Sequence, residues 1–299
     1  MNFASLQSAI TDEERMLLRR CEELASRAAD GSPAFSQLLS PREQLILRVL
    51  GPASRQPTRA NLTLDDSICF FWGGYPEAER AIFCALPSYF AYSLPESCGE
   101  SDADSSASLI SGLAAAASDE LSGALRLLRI KSSGYVNLTH RDYLGSLLAL
   151  GLERSVVGDI LPDEGGAYVF AAGSVADFIK SELVSIGRDR VSVSDAVLPD
   201  GHVFTRQFES ITGTIASARL DAVISELGRT SRETAKELIR RGLVEQNYFT
   251  AAEPDAPVEN GDVVSIRREG RIRFGKYLID SLDEQSAKGR IRLKARKYL

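Results

Sequence analysis

Three basic side chains recur at intervals of four residues near the end of the sequence: Arg232, Lys236 and Arg240. In a helix these positions share one face, and Leu238 and Ile239 fall on the opposite face. Guanidinium groups bind phosphate through two parallel hydrogen bonds. The pattern therefore predicts an exposed basic stripe that binds the phosphate backbone of a nucleic acid.

Three neighbouring residues extend this stripe. Arg219 opens the preceding predicted helix and can approach the same face, and Arg241 directly follows Arg240. Ser231 lies at a helix N-terminus, where a hydroxyl and free N–H groups favour an anion. Such a surface recognises its ligand by shape and phosphate contacts, and structured RNA is recognised in this way.

The distribution of charge supports a polyanionic partner. The whole chain has 35 basic and 41 acidic residues and a net charge of −6, which by itself disfavours nucleic acid. Residues 219–299, however, hold 17 basic and 13 acidic residues, and residues 268–299 hold 10 and 4. The net charges of these two segments are therefore +4 and +6, whereas residues 1–218 have a net charge of −10. The alternative is a solvated surface of mixed charge.

The chain divides into three predicted regions: a helical N-terminal region over 1–65, a central domain over 66–205 and a C-terminal domain over 215–299 that ends in a basic tail. Residues 97–118 are rich in Ser, Ala and Asp, so we expect a flexible surface insertion there. In the central domain a strand over 68–72 precedes a glycine turn and a helix that carries Glu77, Glu79 and Arg80.

The second half of the central domain has a βαββαβ pattern, which is typical of ferredoxin-like and RRM-like domains. The fold class is therefore predicted as α+β. The predicted strands are 124–131, 156–161, 167–171 and 190–197, and the predicted helices are 139–150 and 174–186. The C-terminal domain is predicted to hold helices at 219–227 and after a Thr230–Glu233 capping box, and strands at 243–246 and 263–266.

Several motifs resemble known families. R-L-D at 219–221, S-R at 231–232 and G-L-V at 242–244 resemble the S4 RNA-binding domain. The segments Trp72–Arg80 and Thr139–Gly151, followed by G-D-I at 158–160, are similar to the YlmH family of bacterial and plastid S4-domain proteins. The resemblance covers about residues 35–299.

The resemblance implies RNA binding without catalysis, association with the ribosome and handling of stalled large-subunit complexes that bear peptidyl-tRNA. Its S4 positions are Arg219, Ser231, Arg232, Lys236 and Asn247. Further basic candidates lie on or after the last strand of the motif: Arg267, Arg268, Arg271 and Arg273. Gln246 departs from the S4 pattern, because it stands where a core valine is expected. We therefore expect this strand to be frayed or exposed.

A second RNA surface is predicted in the central domain. Its candidates are Gly73, Gly74, Tyr75, Arg80, His140 and Arg141. The alternative is structural: the glycines permit positive φ, Arg80 forms a salt bridge, and the helix that begins near His140 needs a cap.

We expect no cofactor and no metal, because nucleotide-binding glycine motifs are absent and the two histidines and four scattered cysteines lack metal-ligand spacing. The sequence has no run of about 18 apolar residues, so no membrane span is predicted. The expected partners are rRNA, tRNA and the large ribosomal subunit, for a monomer in the cytoplasm or the plastid stroma. Two alternatives remain: an S4-containing RNA-modifying enzyme, similar to pseudouridine synthases, with its active site in the central domain, and a protein-interaction factor whose acidic N-terminal region binds a partner.

Overall fold

The computed structural model describes residues 7, 9–55, 57–58, 61–62, 66–94, 105–197, 208–285 and 289–298. The chain divides into two compact units, Met1–Phe204 and Thr205–Leu299. Both units combine helices with antiparallel sheets, so the fold class is α+β, as predicted. Among the described helices none is long and apolar enough to cross a membrane.

The first part of unit one is a three-stranded antiparallel sheet with two helices. The helices are α1 (Asp12–Ala29) and α2 (Pro41–Leu50), and the strands are β1 (Ala34–Leu39), β2 (Ser67–Trp72) and β3 (Ala81–Pro87), in the order β1-β3-β2. The prediction of a helical region over 1–65 was wrong at β1. A short apolar run does not distinguish strand from helix, and pairing with the distant β3 decides it here.

Two capping signals of the sequence form in the structure, but one predicted helix does not. Thr11 and Ser40 each precede a Glu by three residues, a spacing that predicts a capping box, and each builds this box at the start of α1 or α2. Residues 77–80, predicted as helical, lie in the loop between β2 and β3.

The expected flexible insertion over 97–118 was wrong for its second part, and residues 97–104 lie outside the described part of the chain. Helices α3 (Ser105–Ala116) and α4 (Ser118–Ala124) follow one another there. Leu109 and Leu113 are 1% and 0% exposed and pack into the core that holds Phe70. Their i, i+4 spacing forms an apolar face that the Ser- and Ala-rich composition hides.

The rest of unit one is a five-stranded antiparallel sheet with two helices. Its strands are β4 (Leu125–Ser132), β5 (Val157–Asp163), β6 (Gly166–Ala172), β7 (Ser185–Ile186) and β8 (Asp189–Asp195), in the order β5-β6-β4-β8-β7. Its helices are α5 (His140–Ala149) and α6 (Gly173–Glu182). All six predicted elements form. The helix predicted to reach residue 186 ends earlier, because Ser185 and Ile186 pair with β8.

Unit two is a six-stranded antiparallel sheet whose core side packs against two helices. The helices are α7 (Leu220–Leu227) and α8 (Arg232–Arg240). The strands are β9 (Phe208–Ile215), β10 (Val244–Gln246), β11 (Phe249–Thr250), β12 (Val263–Ile266), β13 (Gly275–Gln285) and β14 (Ile291–Tyr298), in the order β11-β10-β12-β13-β14-β9. Leu220 and Leu238 of the helices share one core with Tyr277 and Leu293 of the sheet.

The structure differs from two sequence predictions about unit two. The segment predicted only as a basic tail forms β13 and β14. The strand predicted to fray is held between β11 and β12, and Gln246 donates from Nε2 to Asp262 Oδ2 at 2.7 Å and to the Pro257 carbonyl at 2.8 Å. A polar side chain is tolerated here because its donors are satisfied.

Candidate nucleic-acid interface

A buried carboxylate links the two helices of unit two. Asp221, the second residue of α7, is completely buried. Nη2 of Arg232 lies 2.9 Å from its Oδ1 and 2.8 Å from its Oδ2, and Nε of Arg219 lies 3.3 Å from Oδ1. The two arginine side chains remain 46% and 44% exposed. Each guanidinium group is therefore anchored on one side and accessible to solvent on another.

The charge state of this cluster follows from its contacts. Burial by itself raises the pKa of Asp221, but hydrogen bonds and positive charge from Arg232 and Arg219 outweigh it and hold the pKa below its usual value. Asp221 is thus ionised at neutral pH and offsets one of the two positive charges. More of the attraction for a phosphate must then come from Lys236 and Arg240.

The cap of α8 differs from the prediction. Ser231, not Thr230, is the N-cap, and its Oγ accepts the N–H of Thr234 at 3.0 Å. The predicted Thr230–Glu233 capping box was therefore wrong by one residue. The Ser231 hydroxyl also contacts Thr234 Oγ1 at 2.8 Å, so it is already engaged in ordering the helix start.

The predicted stripe lies on the exposed face of α8. Leu238 and Ile239 are each 1% exposed on the opposite face. Lys236 Nζ is 3.3 Å from Oε2 of Glu233, whose side chain is 76% exposed, and such surface pairs are weak and readily exchanged. Arg240 is exposed, and in the described part of the chain no carboxylate pairs with it. Lys236 and Arg240 are the most available cations of the stripe.

Most other predicted cations of unit two have partners. Arg271 is exposed at the end of the turn that precedes β13. The contacts of the rest are Arg241 with Glu269 at 3.1 Å, Arg267 with Glu245 at 2.8 Å, Arg273 with Glu209, and Arg268 over the ring of Phe274 at 5.2 Å.

Asn247 has a structural task in this geometry. It lies in the two-residue turn between β10 and β11 with φ of 50°. Its Nδ2 donates to Asp262 Oδ1 at 2.7 Å, and its Oδ1 accepts the N–H of Val263 at 2.9 Å. Both ends of the amide connect the turn to the start of β12, so an RNA contact at Asn247 would have to share these atoms.

In unit one a second buried carboxylate, Asp159, holds the loop that carries Tyr75 and Arg80. Asp159 of β5 accepts the Tyr75 hydroxyl and the Glu79 N–H at Oδ2, each at 2.7 Å, and the Arg80 N–H at Oδ1 at 3.0 Å. Arg80 Nη2 in turn donates to the Leu38 carbonyl at 2.8 Å. These hydrogen bonds hold residues 77–80 in a loop, where the sequence pattern predicts a helix.

The two glycines of this loop are required for close packing. A Cβ on Gly74, whose φ is +97°, would lie 2.0 Å from the ring of Phe170. A Cβ on Gly73 would lie 2.3 Å from that of Ala78. The ring of Tyr75 stacks on Phe170 at 5.5 Å. Gly73, Gly74 and Tyr75 therefore build the loop rather than offer a surface.

The helix start at α5 is both capped and basic. Asp142 Oδ2 accepts the N–H and the hydroxyl of Thr139, each at 2.7 Å, which satisfies the cap without His140. His140 and Arg141 are exposed. Partial loss of water around its ring and the positive charge of Arg154 lower the pKa of His140. The structure thus places His140 near Arg154, a residue that sequence patterns did not single out.

Asp159 and Asp221 lie in the motifs G-D-I and R-L-D, but the sequence alone assigned no task to either carboxylate. Each is an acidic residue within an otherwise apolar stretch of a strand or helix. A carboxylate is rarely fully buried unless it is paired, and this was the available signal.

Comparisons with known proteins place the chain. The family model described as "Putative RNA-binding domain in YlmH" matches residues 123–200. The chain is 31% identical over 244 residues to the ribosome-associated protein quality control protein P2 of Bacillus subtilis (strain 168), across 81% of this chain and 80% of that one. A solved structure, the cell division protein ylmH from Streptococcus pneumoniae, aligns at 22% identity with a TM-score of 0.40 and covers 63% of this chain and 93% of that one.

The identity to the Bacillus subtilis protein extends over four fifths of both chains, and the family model matches the region of the five-stranded sheet in unit one. The family-model match includes the motif at Thr139–Gly151. The chain belongs to the YlmH family of S4-domain RNA-binding proteins.

Proposed function

We propose that the chain is a noncatalytic RNA-binding protein that contacts structured rRNA or tRNA on the large ribosomal subunit and acts on stalled complexes. The observation that carries the proposal is the exposed basic face of α8, where Lys236 and Arg240 extend from the anchored pair Arg219 and Arg232. This face offers several cations at fixed spacing, which suits a phosphate backbone.

The relative from Bacillus subtilis supports the ribosomal part of the proposal, since its name states ribosome association and protein quality control. The likeness extends over 81% of this chain, so a shared role for the whole protein is a reasonable expectation. A bacterial cytoplasm is the proposed compartment, with the plastid stroma as the alternative, and a monomer is the proposed state.

The region over 125–195 is proposed as a ferredoxin-like or RRM-like RNA-binding domain. In its β-α-β-β-α-β order, the first long strand β4 lies between β6 and β8, and β5 pairs with β6. This is the arrangement expected for a split βαβ unit. The second RNA surface is proposed at His140 and Arg141, the two exposed members of the predicted set.

The noncatalytic assignment is supported by the state of the buried carboxylates. Asp159 accepts three hydrogen bonds, Asp221 is held by two arginines, and Asp189 accepts the hydroxyls of two serines. A carboxylate that serves its own fold in this way is poorly placed to act as nucleophile or base. Among the described residues, His, Cys, Asp and Glu form no group that fits a metal ion.

An RNA-modifying enzyme remains the alternative, and nucleoside analysis separates it from the proposal. Mass analysis of rRNA and tRNA nucleosides from a deletion strain should show no missing modification. A modification that disappears, and returns with the wild-type gene, would contradict the noncatalytic assignment.

The direct test of ribosome binding is co-sedimentation with purified large subunits. The double variant K236Q/R240Q removes two available cations without disturbing Asp221. We expect it to lower the bound fraction strongly, whereas R19Q/R20Q, which removes two exposed charges from α1, should bind like the wild type. Equal binding by all three proteins would contradict the proposed surface.

A further inference from the structure

The sheet of unit two has a second face that points away from α7 and α8. Leu293 and Ala295 of β14 are 0% and 2% exposed on the core side. Successive side chains of a strand point to opposite faces, so Arg292, Lys294 and Arg296 lie on the outer face. Three cations thus recur along one strand on the side of the sheet that the helices leave uncovered.

The neighbouring strand adds small polar side chains to this face. In the register of β9 with β14, Thr214 lies opposite Arg292, Thr212 opposite Lys294, and Ser210 opposite Arg296. Directly opposite residues of an antiparallel pair share a face. The cations of β14 therefore border hydroxyl groups rather than carboxylates on the β9 side.

Aromatic rings and cations alternate across one end of the same face. Nζ of Lys276 lies 4.8 Å from the ring centroid of Tyr248 and 4.8 Å from that of Tyr298. The Tyr298 ring meets the Phe208 ring edge to face at 5.0 Å, and the Arg296 guanidinium lies 4.9 Å from the centre of the Phe208 ring. These five side chains form a continuous row across the sheet, from the turn before β11 to β9.

The face keeps a positive balance. Two acidic residues lie among its four cations: Arg296 is bonded to Asp280 at 2.9 Å, and the register of β13 with β14 places Glu284 opposite Arg292. Lys276 and Lys294 are the other two cations on this side, so cations outnumber acidic residues there. We call the set of Phe208, Tyr248, Lys276, Arg292, Lys294, Arg296 and Tyr298 the outer sheet face.

We propose that the outer sheet face binds an unpaired segment of RNA, with its phosphates on the β14 cations and its bases against the aromatic row. Proteins that bind single-stranded nucleic acid combine a basic track with aromatic side chains on which bases stack. The inference rests on the proposed RNA-binding function and extends it, because α8 lies on the other side of the sheet. Unit two would then hold a structured RNA on its helix side and an unpaired segment on its sheet side.

The test is fluorescence anisotropy of the full chain with two labelled probes, an oligouridine without secondary structure and a stem-loop RNA. For R292Q/K294Q, the slope of log affinity against log salt on oligouridine should become shallower by about 1.4, at about 0.7 per phosphate contact. Y298L should weaken oligouridine binding about ten-fold through lost stacking, while Y298F should retain it. K297Q is the matched control, since Lys297 is on the same strand but on the core side near Glu209.

The outcomes separate this inference from the proposed function. Unchanged oligouridine affinity in R292Q/K294Q and Y298L would overturn the inference, and this is also the result expected if the face served an acidic protein. If K236Q/R240Q still weakened stem-loop binding in that case, the proposed function would stand. If the wild-type chain bound neither the oligouridine nor the stem-loop RNA, the inference and the proposed function would both be overturned.

Discussion

Nη2 of Arg232 lies within hydrogen-bonding distance of both carboxylate oxygens of Asp221, a side chain with no exposed surface. This contact joins the start of α8 to the start of α7. Arg232 is therefore both a member of the basic stripe and a support of the fold. Its removal leaves a buried carboxylate with one weaker partner, so loss of RNA binding in R232A would have two causes.

Replacing Asp221 should destabilise unit two. D221N keeps the shape of the side chain but removes its charge, and charge-assisted hydrogen bonds contribute about 1.5–3 kcal/mol each. Because both arginines are half-exposed, we expect a loss near the lower end, about 1–2 kcal/mol in the free energy of unfolding. Urea unfolding measures it. The exposed D255N is the control, and equal stability of D221N and wild type would contradict this role.

The same pair predicts a pH dependence. The pKa of Asp221 is lower in the folded chain than its ordinary value of 3.8. A group of this kind stabilises the fold above its unfolded pKa, and the contribution is lost as the pH falls through the folded pKa. The stability difference between wild type and D221N should therefore be constant near neutrality and shrink below about pH 4. A difference that stays constant down to pH 3 would refute the linkage.

Tyr75 and Asp159 should be energetically coupled. The Tyr75 hydroxyl donates to Oδ2 of Asp159 at 2.7 Å across 84 residues of sequence. We expect Y75F to cost about 1 kcal/mol and D159N about 1–3 kcal/mol, because the latter also weakens the bonds from two backbone N–H groups. In a double-mutant cycle the coupling energy should exceed about 0.5 kcal/mol. Y92F, at a residue 80% exposed, is the control. Strict additivity of Y75F and D159N would argue against the contact.

Gly74 should tolerate alanine less well than another glycine of positive φ. At Gly74 the added methyl group meets the Phe170 ring at 2.0 Å, whereas at Gly187, with φ of +58°, nothing lies within 4 Å. G187A reports the backbone strain alone. Overpacking adds about 1–3 kcal/mol, so thermal unfolding of G74A should occur at a clearly lower temperature than that of G187A. Similar melting temperatures would show that the ring of Phe170 moves aside.

Local patterns explain which elements were predictable. The caps at Thr11 and Ser40 and the buried pair Leu238 and Ile239 depend on residues within one or two helical turns, and the structure has them. The cap of α8 shifted from Thr230 to Ser231, since two adjacent hydroxyl residues offer the same signal.

Long-range contacts explain what the sequence left open. The loop at 77–80 has charges typical of a helix, but its N–H groups bond to Asp159, and no local pattern encodes that partner. Strand β1 depends on pairing with β3, more than 40 residues away. The RNA-binding stripe was predictable as a helical face, whereas the anchoring of Arg219 and Arg232 by Asp221 required the packing of α7 against α8.

The most direct test of the central claim, that the exposed face of α8 binds RNA phosphates, is the salt dependence of stem-loop RNA binding by fluorescence anisotropy. Wild-type affinity should fall linearly on a log–log plot against salt. K236Q/R240Q should give a slope shallower by about 1.8, at about 0.9 per duplex phosphate contact, and R19Q/R20Q should keep the wild-type slope. Identical slopes for wild type and K236Q/R240Q would contradict the claim.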